Sequence, residues 1–191
     1  MILKNALNFS HALLQQKVQP GNAVIDATIG NGHDTLFLAN LVGRKGHIIG
    51  CDIQADAVNH TKQRLIDANI TLASLTLTDK GHHHITDLVP SALHHKLTAA
   101  IFNLGYLPGG NKEITTTSET TLAAIEQLLK IMPTGGLIVL TVYDGHNEGK
   151  VERRDLYAFT NQLPQDKYAV LNYQFTNQKN NPPMVIAIEI K

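Results

Sequence analysis

The sequence predicts an α/β sandwich with a mainly parallel, seven-stranded sheet that ends in an antiparallel hairpin. Apolar strand-like runs alternate with segments of helical periodicity along most of the chain. Helices between strands imply right-handed crossovers and parallel pairing. The last two strand-like runs, "YAVLNYQFTN" and "PMVIAIEI", follow one another with no helical pattern between them. We therefore expect these two to pair antiparallel, after five parallel strands.

The individual elements follow from local patterns. An amphipathic helix over residues 6–17 stops at Pro20-Gly21 and should pack beside the first strand. The first half then continues, in chain order, with strand Ala23–Ala27, helix Asp34–Leu41, strand His47–Asp52, helix Asp56–Asn69 and strand Leu72–Thr78. The second half is predicted as strand Leu97–Leu104, helix Ser118–Met132, strand Leu137–Tyr143, a helix near Lys150–Leu163 and the hairpin.

Composition favours one globular domain over residues 1–191. Hydrophobic residues make up 43% and charged residues 17% of the 191 positions, enough apolar material for a core. The 16 Lys and Arg balance the 16 Asp and Glu, so any polyanion must be bound by a local patch. The single cysteine, the lack of a signal-like start and the lack of a run near ~20 apolar residues predict a cytoplasmic protein without a membrane span.

A glycine turn, "IGNGHD", follows the first strand. Gly30 and Gly32 let the backbone approach a ligand, and the next helix begins there with free amide groups. Alone, this is also what an ordinary strand-to-helix turn looks like. Asp52, however, ends the second strand about 20 residues later, where a carboxylate can accept both hydroxyls of a ribose. Together these residues predict a cofactor that contains a nucleoside.

The charges around the turn favour S-adenosylmethionine over NAD. A dinucleotide turn usually reads G-x-G-x-x-G, and the third glycine is absent here. Asp34 at the helix start would repel a pyrophosphate, but it can cap the helix or accept a bond from a cationic ligand. Asp26 adds a second carboxylate before the turn. Two carboxylates suit the ammonium and sulfonium groups of S-adenosylmethionine.

The fourth strand ends in "AAIFNLGYLPGG", at the edge where such sheets bind substrates. Asn103-Leu104-Gly105-Tyr106 stands where amine-directed methyltransferases carry Asn or Asp, two small or proline residues, and an aromatic residue. Asn103 can orient the N–H bonds of an attacking amine, and Tyr106 can lie against a planar base. The alternatives are a turn role for Asn103 and partial core packing for Tyr106.

Four stretches carry a specific resemblance: "DATIGNGHDTLFLA", "DIQ", "FNLGYLPGGNKEITTTSETT" and "YDGHNEGKVE". Together they resemble the bacterial family once catalogued as rRNA methylases and now associated with tRNA (mnm5s2U) biosynthesis. The resemblance implies the class I methyltransferase (Rossmann-like) fold and S-adenosylmethionine as cofactor. It also implies N-methylation of the 5-aminomethyl group of wobble (2-thio)uridine in tRNA, to 5-methylaminomethyl, with the anticodon stem-loop as partner.

The resemblance also implies site residues. It places cofactor contacts at Gly30, Asn31, Gly32, Asp34, Asp52, Gln54 and the Gly81-His82 pair, and Asp26 and Thr35 beside the glycine turn complete the expected cofactor-binding set. The family often has an acidic residue directly before the Gly-His pair, whereas this chain reads Asp79-Lys80. Either the Asp79 side chain or the Lys80 backbone can therefore meet the adenine.

The segment "YDGHNEGKVERRD" follows the fifth strand and combines aromatic with basic residues. We expect it to hold an RNA backbone while aromatic rings face the target nucleoside. The expected substrate-binding set is Tyr106, Thr115, Tyr143, His146, Lys150, Arg153 and Arg154. The alternative is a solvated helix start whose basic residues pair with Glu148, Glu152 and Asp155. The catalytic candidates are Asn103, Tyr106 and His146, with Tyr106, His146 or a water as the base.

Three other hypotheses remain open at this point. The histidine runs at 82–84 and 94–95 invite a metal site, but on an extended segment neighbouring side chains diverge, and no CxxC or HExxH pattern is present. We expect no metal.

The chain could instead methylate a small amine metabolite or another RNA, or it could be a nucleotide-binding oxidoreductase. A homodimer would give a small domain more surface for RNA.

Overall fold

The computed structural model describes residues 2–107, 109–110, 114–145 and 147–191. The helices are α1 (Ala6–Lys17), α2 (His33–Val42), α3 (Ala55–Asp67), α4 (Ile85–Leu88), α5 (Ser118–Ile131) and α6 (Asn147–Asn161). The strands are β1 (Ala23–Asp26), β2 (His47–Cys51), β3 (Ser74–Thr78), β4 (Leu97–Leu104), β5 (Leu137–Val142), β6 (Tyr168–Tyr173) and β7 (Met184–Ile190). Each predicted element is present; many of the predicted ends agree to the residue, and the others shift by one to four residues. Among the described residues, no helix is both long and apolar enough to span a membrane.

The strands form one sheet in the order β3-β2-β1-β4-β5-β7-β6. Strands β1 to β5 pair in parallel, while β7 pairs antiparallel with both β5 and β6. The mainly parallel seven-stranded sheet with an antiparallel C-terminal pair is therefore confirmed. The order reverses between β1 and β4, and ligands of such sheets bind at that reversal, beyond the carboxyl ends of the strands.

Two apolar clusters lie on the two faces of the sheet. One contains Ile125 and lies under α4, α5 and α6, and the other contains Leu14 and lies under α1, α2 and α3. Successive residues of β1, Val24 and Ile25, belong to different clusters, because side chains alternate along a strand. Both faces of the central strands are therefore buried, which explains their continuous apolar runs.

Helix α1 lies further along the sheet than expected. It packs chiefly on β5 and β7, with further contacts to β4, whereas α2 packs on β1 and β2. The side chain of Asn5 accepts a hydrogen bond from the backbone N–H of Asn8 at 2.8 Å and so caps the start of α1. This placement brings the helix start and its polar face to the same edge as the glycine turn.

Candidate active site

A cavity of about 930 Å³ opens at the carboxyl edge of the sheet. Its walls come from the segments after four parallel strands, represented by Gly30 after β1, Asp52 after β2, Asn103 at the end of β4 and Asp144 after β5. The volume is near the upper end of the usual range for small-molecule sites. The cavity therefore has room for a nucleoside-sized ligand beside a second group.

The glycine turn has two parts with different roles. Gly30 has φ +48° and Gly32 has φ +77°, a left-handed conformation that favours glycine. Gly30 and Asn31 line the cavity. Gly32 instead faces α3, because a Cβ added there would lie 2.7 Å from the hydroxyl oxygen of Thr61. Close packing of α2 against α3 explains this glycine.

Asp52 closes the turn from the neighbouring strand. Its Oδ2 accepts a hydrogen bond from the Gly30 N–H, and its Oδ1 accepts one from the Gln54 N–H, each at 3.0 Å. Burial raises the pKa of this carboxyl, and the two backbone hydrogen bonds act to lower it. Each oxygen has a second lone pair, so the fixed carboxylate can also accept two ribose hydroxyls. Asp52 and Gln54 both line the cavity.

Asp26 and Thr35 lie behind the cavity wall rather than on it. The buried Asp26 carboxylate accepts a hydrogen bond from the Thr35 hydroxyl at 2.6 Å and from the Thr28 N–H at 3.2 Å. Burial, followed by repulsion from Asp34, raises the pKa of Asp26 to about 7. These contacts brace the glycine turn from beneath.

Asp34 joins three elements on the wall of the cavity. One of its oxygens lies 2.6 Å from Nε2 of His11 on α1, and the other accepts a hydrogen bond from the side-chain amide of Asn103 on β4. The His11 ring stacks on Phe37 of α2, with ring centroids 3.8 Å apart. Sequence reasoning missed His11, since no local pattern distinguishes it from other polar residues of an amphipathic helix.

The orientation of Asn103 follows from these contacts. Its backbone N–H donates to the Thr28 hydroxyl at 2.7 Å, and its side-chain NH₂ donates to Asp34. Its Oδ1 is buried and, within the described ranges, has no hydrogen-bond partner. An unsatisfied buried acceptor costs free energy, so its presence in a cavity indicates a donor on the ligand. Asn103 therefore has one unpaired acceptor oxygen and is a residue that lines the cavity.

The Gly81-His82 segment forms another part of the wall. The histidines at 82–84 form one turn of 3₁₀ helix and not the expected extended segment. The His82 ring lies edge-on to Phe102, with centroids 5.7 Å apart, and burial lowers its pKa to about 4. His82 is therefore neutral near pH 7. Gly81 and His82 line the cavity, whereas Asp79 and Lys80 are exposed outside it.

Glu152 of α6 is buried, at 1% exposure, and so does not lie on a solvated helix face as one alternative required. Its two oxygens accept hydrogen bonds from the hydroxyls of Thr121 at 2.6 Å and Thr116 at 2.7 Å. The Thr116 hydroxyl in turn accepts from the Gly105 N–H at 2.9 Å. This network, which the sequence did not reveal, ties α5 and α6 to the loop after β4.

Two tyrosines stand at the mouth of the cavity. Tyr106 is 41% exposed and forms an isolated β-bridge with Thr115, and Tyr143 is 39% exposed. All three residues line the cavity. Tyr106 is therefore a rim residue and not a core residue. His146, the third catalytic candidate, lies outside the described residues.

The basic residues after β5 line a second, smaller cavity of about 360 Å³ beside the first. We call it the basic groove; its lining residues are Asp144, Lys150, Arg153, Arg154, Tyr157, Asn172 and Gln174. Arg153 donates to Oδ2 of Asp144 at 2.5 Å and to the Gln174 side chain at 2.8 Å. Arg154 contacts Asp155 at 2.8 Å. Asp144 lines both cavities, so the groove and the larger cavity share a wall.

Comparisons with known proteins agree with this geometry. Residues 48–189 match the model of the family described as "Putative rRNA methylase". The chain is 38% identical over 189 residues to the chloroplastic tRNA (mnm(5)s(2)U34)-methyltransferase of Arabidopsis thaliana, covering 95% of this chain and 68% of that protein. A protein of Clostridium thermocellum described as an rRNA methylase superposes with a TM-score of 0.94 at 37% identity, over 100% of both chains. A Streptococcus mutans protein solved in complex with SAH superposes with a TM-score of 0.88 at 34% identity, again over 100% of both chains.

Proposed function

The chain belongs to the rRNA methylase family whose model it matches, and from that premise we propose its reaction. It is an S-adenosylmethionine-dependent N-methyltransferase that converts the 5-aminomethyl group of wobble (2-thio)uridine in tRNA to 5-methylaminomethyl. The relative from Arabidopsis carries this activity in its name, and the Streptococcus neighbour binds the demethylated donor. The observation in this molecule that supports it most directly is the unpaired Oδ1 of Asn103 in a cavity that also contains Asp52.

The donor half of the cavity fits S-adenosylmethionine. Asp52 would hold the ribose hydroxyls, the backbone of Gly30 and Asn31 would approach the donor, and the Gly81-His82 segment would border the base. When bound, S-adenosylmethionine supplies a methyl group on a cationic sulfur, which is a good leaving group. Asp34, which lines the cavity and accepts from Asn103, contributes negative charge that suits this cation.

The acceptor half would hold the amine by its N–H bonds. A neutral primary amine has two N–H groups and one lone pair, and only the lone pair attacks carbon. Asn103 Oδ1 would accept one N–H, because the bond to Asp34 occupies the Asn103 NH₂ and leaves Oδ1 as the unpaired atom of that amide. Tyr106 at the rim would lie against the uracil ring. Tyr143 and Thr115 would border the same nucleoside.

RNA contacts complete the proposal. Lys150, Arg153 and Arg154 border the basic groove beside the catalytic cavity, and their positive charge supports contact with the phosphate backbone of an anticodon stem-loop. A homodimer, which would widen this surface, and a cytoplasmic location both stay predictions; the Arabidopsis relative is chloroplastic by name. The oxidoreductase alternative is not favoured, since the family and the solved neighbours are methyltransferases.

The test is methyl transfer to defined tRNA. The purified chain is incubated with S-adenosylmethionine and tRNA that carries 5-aminomethyl-2-thiouridine, and nucleosides are analysed by mass spectrometry. We expect one added methyl group on that nucleoside, and a fall of about 10²-fold or more in turnover for Asn103→Ala, the range for lost positioning or proton-transfer help. Methylation of free aminomethyl nucleoside as fast as of tRNA would favour a small-amine enzyme instead.

A further inference from the structure

Asp144 has an unusual environment for a carboxylate. It follows β5 directly, is buried, and lines both the catalytic cavity and the basic groove. Arg153 donates to its Oδ2 at 2.5 Å. Its Oδ1 is also buried but has no hydrogen-bond partner in the described part of the chain. A buried anionic oxygen without a donor is costly, so a ligand group is expected to supply one.

The position of Asp144 relates it to Asn103. Strands β4 and β5 are neighbours, and Asn103 pairs in register with Thr141, three positions before Asp144. Both side chains line the cavity, and each has one buried oxygen without a partner among the described residues. Two unsatisfied acceptors near the ends of adjacent strands equal in number the two N–H groups of a primary amine.

We propose that Asp144 Oδ1 accepts an N–H hydrogen bond from the acceptor amine, opposite the one accepted by Asn103 Oδ1. This inference rests on the proposed function and adds a specificity-determining residue to it. With both N–H groups held, the lone pair is the remaining direction on the nitrogen. A hydroxyl or methyl group in place of the amine would leave at least one of the two oxygens without a donor.

A carboxylate suits this place because charge develops on the nitrogen. The neutral amine uses its lone pair to form the new N–C bond, while the sulfur keeps the electron pair of the bond that breaks. The nitrogen therefore becomes positively charged as the positive charge on sulfur disappears, and no proton has to move for the step to balance. An anionic oxygen hydrogen-bonded to that nitrogen stabilises the charge more in the transition state than before it.

The pair with Arg153 has a second consequence. Arg153 holds Asp144 from the groove side, where RNA phosphates would lie, so Asp144 is positioned at the boundary between the RNA backbone and the reacting group. A purely structural Asp144 would act only through Arg153 and would affect the binding of every tRNA alike. Direct contact with the amine would affect only tRNA that carries it.

The experiment compares the binding of two tRNAs, one with 5-aminomethyluridine and one with unmodified uridine at the wobble position, to SAH-loaded protein. Wild type should prefer the aminomethyl tRNA, and Asp144→Ala should reduce that preference about 10-fold or more, as expected for loss of a hydrogen bond to a charged group. Binding of unmodified tRNA and of SAH should change little. Asp155→Ala, which removes the partner of Arg154 outside the catalytic cavity, is the matched control.

An equal loss of affinity for both tRNAs, as expected of Arg153→Gln, would overturn the proposal. So would an unchanged preference for the aminomethyl tRNA in folded Asp144→Ala. A wild type with no preference and no methyl transfer would overturn the proposed function itself. If Asp144→Ala fails to fold, Asp144→Asn keeps the shape and the oxygen but loses the charge. Its turnover should fall with donor affinity unchanged, and full turnover would reject the charge argument.

Discussion

Asp52 is the residue on which donor binding depends most directly. Its carboxylate is fixed by two backbone N–H groups and borders the cavity, so Asp52→Ala should weaken S-adenosylmethionine binding without unfolding the protein. The expected loss is about 1.5–3 kcal/mol, the usual range for hydrogen bonds to a charged group. Calorimetric titration measures it. Asp56→Ala, an exposed carboxylate at the start of α3, is the control. Unchanged affinity in folded Asp52→Ala would reject this placement of the ribose.

The shifted pKa values of Asp26 and His82 predict opposite effects of pH on stability. The pKa of Asp26 is raised from 3.8 to about 7, so the folded state holds a proton that the unfolded state releases between these values. The contribution of Asp26 to the free energy of unfolding is present at low pH and is lost as pH rises towards 7. The pKa of His82 is lowered from 6.5 to about 4, so the folded state lacks a proton that the unfolded state binds. Its contribution is present above pH 6.5 and is lost as pH falls towards 4.

Single variants should separate these two effects. The free energy of unfolding of Asp26→Asn minus that of wild type should rise with pH between about 4 and 7, by up to about 1 kcal/mol per pH unit. The same difference for His82→Gln should fall between about 4 and 6.5. Urea unfolding followed by circular dichroism suits a chain without tryptophan. If the two differences changed with pH in the same direction, burial would not control the pKa values of these groups as described.

At the scale of elements, Glu152 connects α6 to α5 and to the loop after β4. Glu152→Ala removes the acceptor of two threonine hydroxyls and should destabilise the fold by about 3 kcal/mol, since each bond to a charged group contributes about 1.5 kcal/mol or more. Chemical unfolding measures this loss. Glu126→Ala, on the exposed side of α5, should change stability by less than about 0.5 kcal/mol. Equal effects of the two variants would contradict a structural role for the network.

The loop after β4 should respond to the same change. Gly105 follows Asn103 closely and donates to Thr116, whose hydroxyl donates to Glu152. A loosened loop would move the rim residue Tyr106 relative to Asn103. The loop after β4, which follows Asn103 and carries Tyr106, is therefore held by Glu152 of α6. Its geometry depends on the packing of α5 against α6.

At the scale of the whole molecule, charge is balanced, so the salt-dependent part of RNA affinity should come from the basic groove. Formal net charge is zero, and Lys150 and Arg154 both line the groove. Lys150→Gln and Arg154→Gln should each weaken tRNA binding and lower the slope of log K against log salt by about 0.7–0.9, the value for one lost phosphate contact. Titrations at several salt concentrations measure it. Lys130→Gln on α5 should leave the slope unchanged, and an unchanged slope for both groove variants would remove the groove from the RNA path.

The sequence by itself determined the helices and strands and those site residues that stand at strand ends. Strand and helix periods depend on neighbouring residues, so all seven strands and the antiparallel tail were predicted, and β4 was predicted to the residue. Gly30, Asp52 and Asn103 could also be predicted as site residues, because parallel strands bring their carboxyl ends to one edge and each residue stands at such an end. Local pattern and topology together were sufficient for these positions.

Only the tertiary structure decided which side chains meet. The place of β7 between β5 and β6, the contact of His11 with Asp34, and the burial of Glu152 join residues far apart in sequence. Periodicity cannot distinguish a buried glutamate from a solvated one, or say which oxygen of Asp144 lacks a donor. Such facts depend on burial and hydrogen-bond geometry, which arise only when separate elements pack together.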